Sequence, residues 1–260
     1  MHPADWRLIN GERLEAIPAQ LARGRGNAVA RALSGADWLL RRKRDGRYVA
    51  VGTAGSVHKL LRGALDRAER DDLAALEQAD QRGGSPRPVS DLRRCLQALG
   101  LDEATYAGKT SLALVAEPHV LTWAGRDRYH RPLWLLGTAA RAWRAMQAAA
   151  RAEGIALEAI SGYRSHEYQL GIFRRKLSRG DSMSEILRVN AAPGFSEHHA
   201  GHAIDIGTRG EPPAEESFET TPAFAWLRSR AVDFRFTMSY PRGNLHGIDY
   251  EPWHWRHEAE

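Results

Sequence analysis

Ser196-Glu197-His198-His199-Ala200-Gly201-His202-Ala203-Ile204-Asp205-Ile206-Gly207 is the stretch on which the reading of this chain turns. His198 and His202 stand i,i+4 apart, a spacing that puts two imidazoles on one face of a helix. The local sequence argues against a helix. Gly201 opposes it, and Ala203-Ile204-Asp205-Ile206 alternates with the period of two expected of a strand. On such a strand Gly201, Ala203 and Asp205 share one face, and His202, Ile204 and Ile206 share the other. The small residues leave space for a metal or substrate beside the Asp205 carboxylate. His198, in the preceding turn, can swing toward Asp205, while His202 points into the opposite layer. A carboxylate flanked by Ile204 and Ile206 is costly to bury unless it is paired or metal-bound. A salt bridge to one of the chain's many arginines is the competing explanation.

Working outward, a second cluster weighs against that alternative. Glu251-Pro252-Trp253-His254-Trp255-Arg256 places a carboxylate and an imidazole three residues apart, with Pro252 fixing the backbone between them. A catalytic zinc has three protein ligands and one open position for water. His198, Asp205 and His254 supply the three. Glu251 remains to take a proton from the water, whose pKa the metal lowers to about 7. Trp253 and Trp255 offer aromatic walls. A third element, Ser161-Gly162-Tyr163-Arg164-Ser165, follows a short apolar strand and precedes Gln169 on a helix. An arginine at a strand end can aim its guanidinium into a cleft, toward a carboxylate or a developing oxyanion; a surface ion pair is its other common fate.

These three ordered motifs resemble the VanY-type D-alanyl-D-alanine carboxypeptidases, within the wider group of lysostaphin-like, D-Ala-D-Ala and Sonic-hedgehog-fold zinc proteins. The resemblance runs from about Val89 to Arg256, including Phe224 to Leu227 and the Ser239-Tyr240-Pro241 turn. It implies one zinc per chain on His198, Asp205 and His254, with Glu251 as general base and then general acid. It implies that Arg164 stabilises the oxyanion, that Ser196 and Gln169 hold the C-terminal end of the peptide, and that Tyr240 and Trp253 belong to the pocket. The implied reaction is removal of the terminal D-alanine from a peptidoglycan stem peptide or precursor. An L,D-carboxypeptidase, a D,D-dipeptidase or a stem-peptide endopeptidase would use the same site, and a non-catalytic peptidoglycan-binding module could retain the fold.

Composition sets the outer bounds. The 260 residues are 43% hydrophobic and 27% charged, with a formal net charge of +5, so a globular domain with a substantial core is expected. The small positive surplus selects no partner, and no nucleic-acid-binding motif accompanies it. Cys95 is the only cysteine, which excludes an intrachain disulfide and a cysteine-built structural zinc site. No window reaches the roughly 18 apolar residues of a membrane span, and Met1 to Ala22 is too charged for a secretory signal. No export leader or membrane anchor is expected, so a cell-envelope and a cytoplasmic location both stay open, as does the oligomeric state.

The expected class is α+β, with a small, mostly antiparallel central sheet, flanking helices and a zinc cleft. A helix-rich N-terminal region with a β-hairpin precedes it, over residues 1–81. Its helices are expected over Pro18–Leu33 and Ser56–Gln81, and its hairpin over Trp38–Val51, turning at Asp45-Gly46. Residues 82–88, rich in Gly and Pro, read as a linker and residues 89–260 as the catalytic domain. There, helices are expected over Leu92–Leu99, Thr138–Glu153, Glu167–Arg179 and Phe224–Arg230. Strands are expected over Ile155–Ser161, Ala203–Ile206 and Phe234–Tyr240, with Tyr250–Arg256 closing the chain.

Overall fold

Alternating apolar residues open the chain as strands, and one buried carboxylate ties their first turn. The computed structural model describes residues 6–24, 26–53, 56–61, 65–79 and 90–258, and the expected linker 82–88 lies outside them. By contacts the chain separates into two units, Met1–Arg87 with Pro118–Trp123, and Pro88–Glu117 with Ala124–Glu260.

In the first unit β1 (Arg7–Asn10), β2 (Leu14–Pro18), α1 (Asn27–Ser34), β3 (Trp38–Arg42), β4 (Tyr48–Thr53), β5 (Ser56–Leu60) and α2 (Arg67–Ala79) follow in order. The strands form an antiparallel meander, each paired with the next in sequence except that β1 also pairs with Val120–Thr122. Leu14, Leu40, Val49, Ala50, Leu65 and Leu76 make its core. Asp72, on α2, accepts the backbone N–H groups of Glu12, Arg13 and Leu14 at 2.7, 2.9 and 2.8 Å, so the β1–β2 turn is fastened to the helix. The hairpin at Asp45-Gly46 forms as expected, with Gly46 at φ 66°.

The rest of this region is richer in strand than its sequence suggested. The helix expected over 18–33 is confined to Asn27–Ser34, after Gly24 and Gly26; Pro18 ends β2 and Ala19–Leu21 form a 3-10 turn. The helix expected over 56–81 starts only at Arg67, because Ser56–Leu60 pairs along β4. Cross-strand hydrogen bonding here outweighs the helical spacing of Leu60 and Leu61.

The second unit carries α3 (Ser90–Ala98), α4 (Glu103–Thr110), the end of β6 (Val120–Arg126), β7 (Pro132–Leu135), α5 (Gly137–Ala152), β8 (Glu158–Ser161), α6 (His166–Ser178), α7 (Met183–Arg188), β9 (Ala203–Gly207), α8 (Pro222–Arg230), β10 (Phe236–Met238) and β11 (His254–His257). Its antiparallel sheet has the order β10-β11-β9-β8. The unit is thus the α+β arrangement expected. Helix α5 buries Ala139, Ala140, Trp143, Met146 and Ala150, the stripe an amphipathic helix presents to a core, and Gly154 follows it at φ 78°. Ile204, Ile206 and Trp255 from one face of the sheet pack with Trp143, Met146, Phe224 and Phe236. Three expected strands are shorter than their apolar runs: 155–157 stays outside β8, Ala231–Phe234 is a 3-10 turn, and β11 begins at His254. No described helix is long and apolar enough to cross a membrane.

Candidate metal centre and active site

Alternation along β9 sends Ile204 and Ile206 into the core and turns Asp205 to the other face. Antiparallel register then sets His254 directly opposite Asp205, and Ser161 pairs with Asp205 from the other side, across a bulge in β8. The bulge turns the following Gly162-Tyr163-Arg164 segment over the same face. His198 lies in a 3-10 turn, Glu197–Ala200, closed by Gly201 at φ 70°. Glu251 is returned toward His254 by a tight turn in which Glu251 O accepts the His254 N–H at 3.1 Å, with Pro252 at its second position.

Nine residues singled out from sequence therefore line one cavity of about 380 Å³: Arg164, Gln169, Ser196, His198, Asp205, Tyr240, Glu251, Trp253 and His254. The ligand atoms of His198, Asp205 and His254 all lie within 4.8 Å of one another, and all three residues are buried. His254 Nδ1 is 3.0 Å and His198 Nε2 3.2 Å from Asp205 Oδ1. Metal–ligand bonds of ~2.0–2.1 Å set tetrahedral ligands roughly 3.3 Å apart, so both separations suit a shared zinc-sized ion.

The hydrogen-bond pattern tests that fit independently. His198 Nδ1 lies 2.7 Å from Gly162 O, which can only accept, so the ring hydrogen sits on Nδ1 and Nε2 holds a lone pair. That Nε2 is buried and makes no hydrogen bond, although Asp205 Oδ1 is close. A lone pair facing a carboxylate oxygen at this distance is repulsive unless a cation lies between them. The two-nitrogen, one-oxygen donor set also matches what zinc accepts. On both grounds these residues fit the metal.

Burial and charge divide the titratable groups. Burial, reinforced by the Arg164 guanidinium, pushes His198 down to about 4. Burial would also lower His254, but hydrogen bonds to Asp205 and Glu197 raise it to about 10. Asp205, which burial would raise, is held well below the usual carboxylate range by His198 and His254. Glu251 takes the opposite course: burial dominates and lifts it to about 7. Its Oε2 is 3.9 Å from His254 Nδ1, so this carboxylate and the His198–Asp205–His254 group share one end of the cleft.

Arg164 Nη2 is 3.7 Å from Asp205 Oδ2, and its buried Nε makes no hydrogen bond. Gln169 is 1% exposed and gives its Nε2 to Ala191 O at 3.0 Å. The Tyr240 ring lies 4.8 Å from the His254 ring at a 31° tilt. His202 stands on the opposite face, its ring parallel to that of His257 at 6.2 Å.

Two neighbours of His198 escaped the sequence reading. His199 receives the Gly194 N–H on Nε2 and donates from Nδ1 to Arg164 O at 2.6 Å, tying the 3-10 turn to the arginine loop. Glu197 accepts from His254 Nε2 at 2.9 Å and from Ser239 Oγ at 2.6 Å. The charged residues Lys176, Glu215, Glu216 and Asp249 also line the cleft. A histidine and a glutamate flanking a suspected ligand were the available signal. Their partners lie 35 and 57 residues away, beyond the reach of any local pattern.

Residues 133–260 match the family model described as VanY, D-alanyl-D-alanine carboxypeptidase. YodJ of Bacillus subtilis (strain 168), a protein named as a carboxypeptidase, is 37% identical over 123 residues, 46% of this chain and 44% of that protein. A D-alanyl-D-alanine carboxypeptidase of Enterococcus faecalis is 31% identical over 42% of each chain. The matches thus span less than half the length of these two relatives. A solved variant of the vancomycin-resistance D,D-pentapeptidase VanY, from a VanB-type resistance cassette and in complex with Zn(II), is 26% identical, with a TM-score of 0.40 over 51% of this chain and 76% of that one. The motifs around His198, Asp205, Glu251 and His254 all lie inside the segment that is similar to the VanY family of D-alanyl-D-alanine carboxypeptidases.

Proposed function

We propose that this protein is a zinc-dependent D,D-carboxypeptidase that removes the terminal D-alanine from peptidoglycan stem peptides or their precursors, with residues 89–260 as its catalytic domain. The observation that carries the reading is the convergence of His198, Asp205 and His254 with a buried carboxylate, Glu251, in one cleft. His198 through Nε2, Asp205 through Oδ1 and His254 through Nδ1 would hold one zinc per chain. Zinc bound there supplies Lewis acidity toward a carbonyl and lowers the pKa of water.

The chain's own groups do the remaining work. Glu251 takes a proton from the attacking water on its carboxylate and returns it to the departing amine nitrogen. A carboxyl lifted to about 7 is suited to both transfers near neutral pH. Arg164 directs its guanidinium at the negative charge that develops on the carbonyl oxygen. Ser196 and Gln169 hold the C-terminal end of the peptide, and Tyr240 and Trp253 wall the cleft against water.

The test is product analysis by mass spectrometry on a defined pentapeptide ending in D-Ala-D-Ala, with and without a chelator. Chelator-sensitive release of a single D-alanine is expected. Release of the dipeptide, or cleavage confined to tetrapeptides or to internal bonds, would replace the D,D-carboxypeptidase reading with its D,D-dipeptidase, L,D-carboxypeptidase or endopeptidase counterpart. Tight binding without any product would instead support a non-catalytic module.

A further inference from the structure

Three features besides Asp205 bear on His254. Glu197 Oε2 lies 2.9 Å from His254 Nε2. The same oxygen accepts from Ser239 Oγ at 2.6 Å, and Glu197 Oε1 is 3.7 Å from Arg256 Nε, two residues along β11 from His254. The Glu197 side chain is only 15% exposed, so its carboxylate is largely screened from water, while Arg256 is half exposed. Finally, the His254 ring is confined on its faces and edges by Tyr240 at 4.8 Å and His198 at 4.9 Å.

The consequence is chemical. A carboxylate accepts hydrogen bonds and donates none, so the hydrogen facing Glu197 belongs to His254 Nε2. A neutral imidazole with its hydrogen on Nε2 carries its lone pair on Nδ1, the nitrogen that faces Asp205. Without Glu197 the competing tautomer would be free to form. Its hydrogen would sit on Nδ1 and bond to Asp205, closing off the one nitrogen able to reach the ion. His198 is fixed the other way round, with its hydrogen on Nδ1 toward Gly162 O. The two histidines therefore present different nitrogens, and each is set by its own acceptor.

We infer that Glu197, steadied by Ser239 and Arg256, is a positioning residue of the metal centre: it keeps one hydrogen of His254 on Nε2, so that Nδ1 is the nitrogen left to the metal. The inference rests on the zinc reading above and adds a residue that touches neither metal nor substrate. Carboxylate partners of this kind raise metal affinity by orienting the ring and increasing its basicity.

The experiment compares zinc affinity, by competition with a chromophoric chelator, for the full-length protein and its Glu197→Ala and Glu197→Gln variants. Thermal unfolding of each metal-free protein serves as the folding control. Glu197→Ala is expected to weaken zinc binding by about 10- to 100-fold. Glu197→Gln, whose amide oxygen still accepts from Nε2, should recover a large part of that loss. Nitrogen-15 NMR of the zinc-loaded wild type should show His254 protonated at Nε2, and this signature should be lost or mixed in Glu197→Ala. Should Glu197→Ala fail to fold, Ser239→Ala removes one hydrogen bond to the same carboxylate and is expected to weaken zinc binding about fivefold. Wild-type affinity and an unchanged tautomer in the folded Glu197→Ala protein, or in Ser239→Ala where that variant must be used, would overturn the inference. A wild type that binds no zinc would instead overturn the metal reading itself.

Discussion

His254 stands directly across from Asp205 on the neighbouring antiparallel strand, and His254 Nδ1 lies 3.0 Å from Asp205 Oδ1. Strand pairing holds the two side chains together, so the sheet itself fixes two of the three groups proposed to hold the metal. The third, His198, arrives from a 3-10 turn whose orientation depends on the Gly162 carbonyl. Two donors held by strand pairing and one held by a turn have separable consequences for mutation and pH.

Glu251 is tested by Glu251→Gln, which preserves shape and removes the basic oxygen. Zinc content should stay at one per chain, while kcat falls by about 10²- to 10⁴-fold, the usual weight of a general base. Steady-state kinetics beside metal analysis reads both quantities. Turnover at the wild-type rate would remove Glu251 from the mechanism.

Zinc affinity should rise with pH. In the metal-free protein His254 is held protonated up to about 10, chiefly by Asp205 and Glu197 acting against burial. His198, pushed down to about 4 by burial, is already neutral at pH 7. The metal must therefore displace one proton, from His254, at every pH below about 10. Apparent affinity should climb roughly tenfold per unit between about pH 6 and 9 and flatten above about pH 10. Affinity that stays level across this range would show that His254 carries no such proton.

Gly162 leaves no room for a side chain. A Cβ there would lie 2.7 Å from Leu133 Cδ1 and 2.8 Å from the Trp134 carbonyl oxygen. Gly162→Ala should therefore shift the loop that gives its carbonyl to His198 Nδ1, costing about 1–3 kcal/mol of stability. Weaker zinc binding should accompany the lower thermal midpoint. A variant with wild-type stability and zinc affinity would show that the loop yields without moving His198.

In the first unit Asp72 is the counterpart of such a fixed point, holding three successive backbone N–H groups. Asp72→Ala should destabilise the β1–β2 turn by about 1–3 kcal/mol for the groups left unpaired. Hydrogen exchange of the full-length protein should show faster exchange at Glu12, Arg13 and Leu14. Unchanged protection at those amides would mean that water or another group replaces the carboxylate.

The motifs around the site were legible because period-two alternation and a proline turn act over a few residues. Ala203–Ile206 could be read as a strand with Asp205 apart from Ile204 and Ile206, and that is the side-chain division the sheet shows. Gly154 and Gly46 marked chain reversals for the same local reason, whereas Gly201, expected on the strand face, instead closes the 3-10 turn before β9. The N-terminal strands were less legible. Leu60 and Leu61 suit a helical stripe as well as a strand, and only pairing with β4 decides between them. Glu197 and His199 were hidden for a related reason. Their identities were in plain view, but their partners become neighbours only when the 3-10 turn, β11 and the arginine loop converge.

The most direct measurement of the central claim is anomalous diffraction at the zinc edge from crystals of the zinc-loaded protein. One peak per chain is predicted, within bonding distance of His198 Nε2, an Asp205 carboxylate oxygen and His254 Nδ1, with the Glu251 carboxylate beside it but outside the ligand set. No peak in the cleft, or a peak that excludes any of these three residues, would contradict the account.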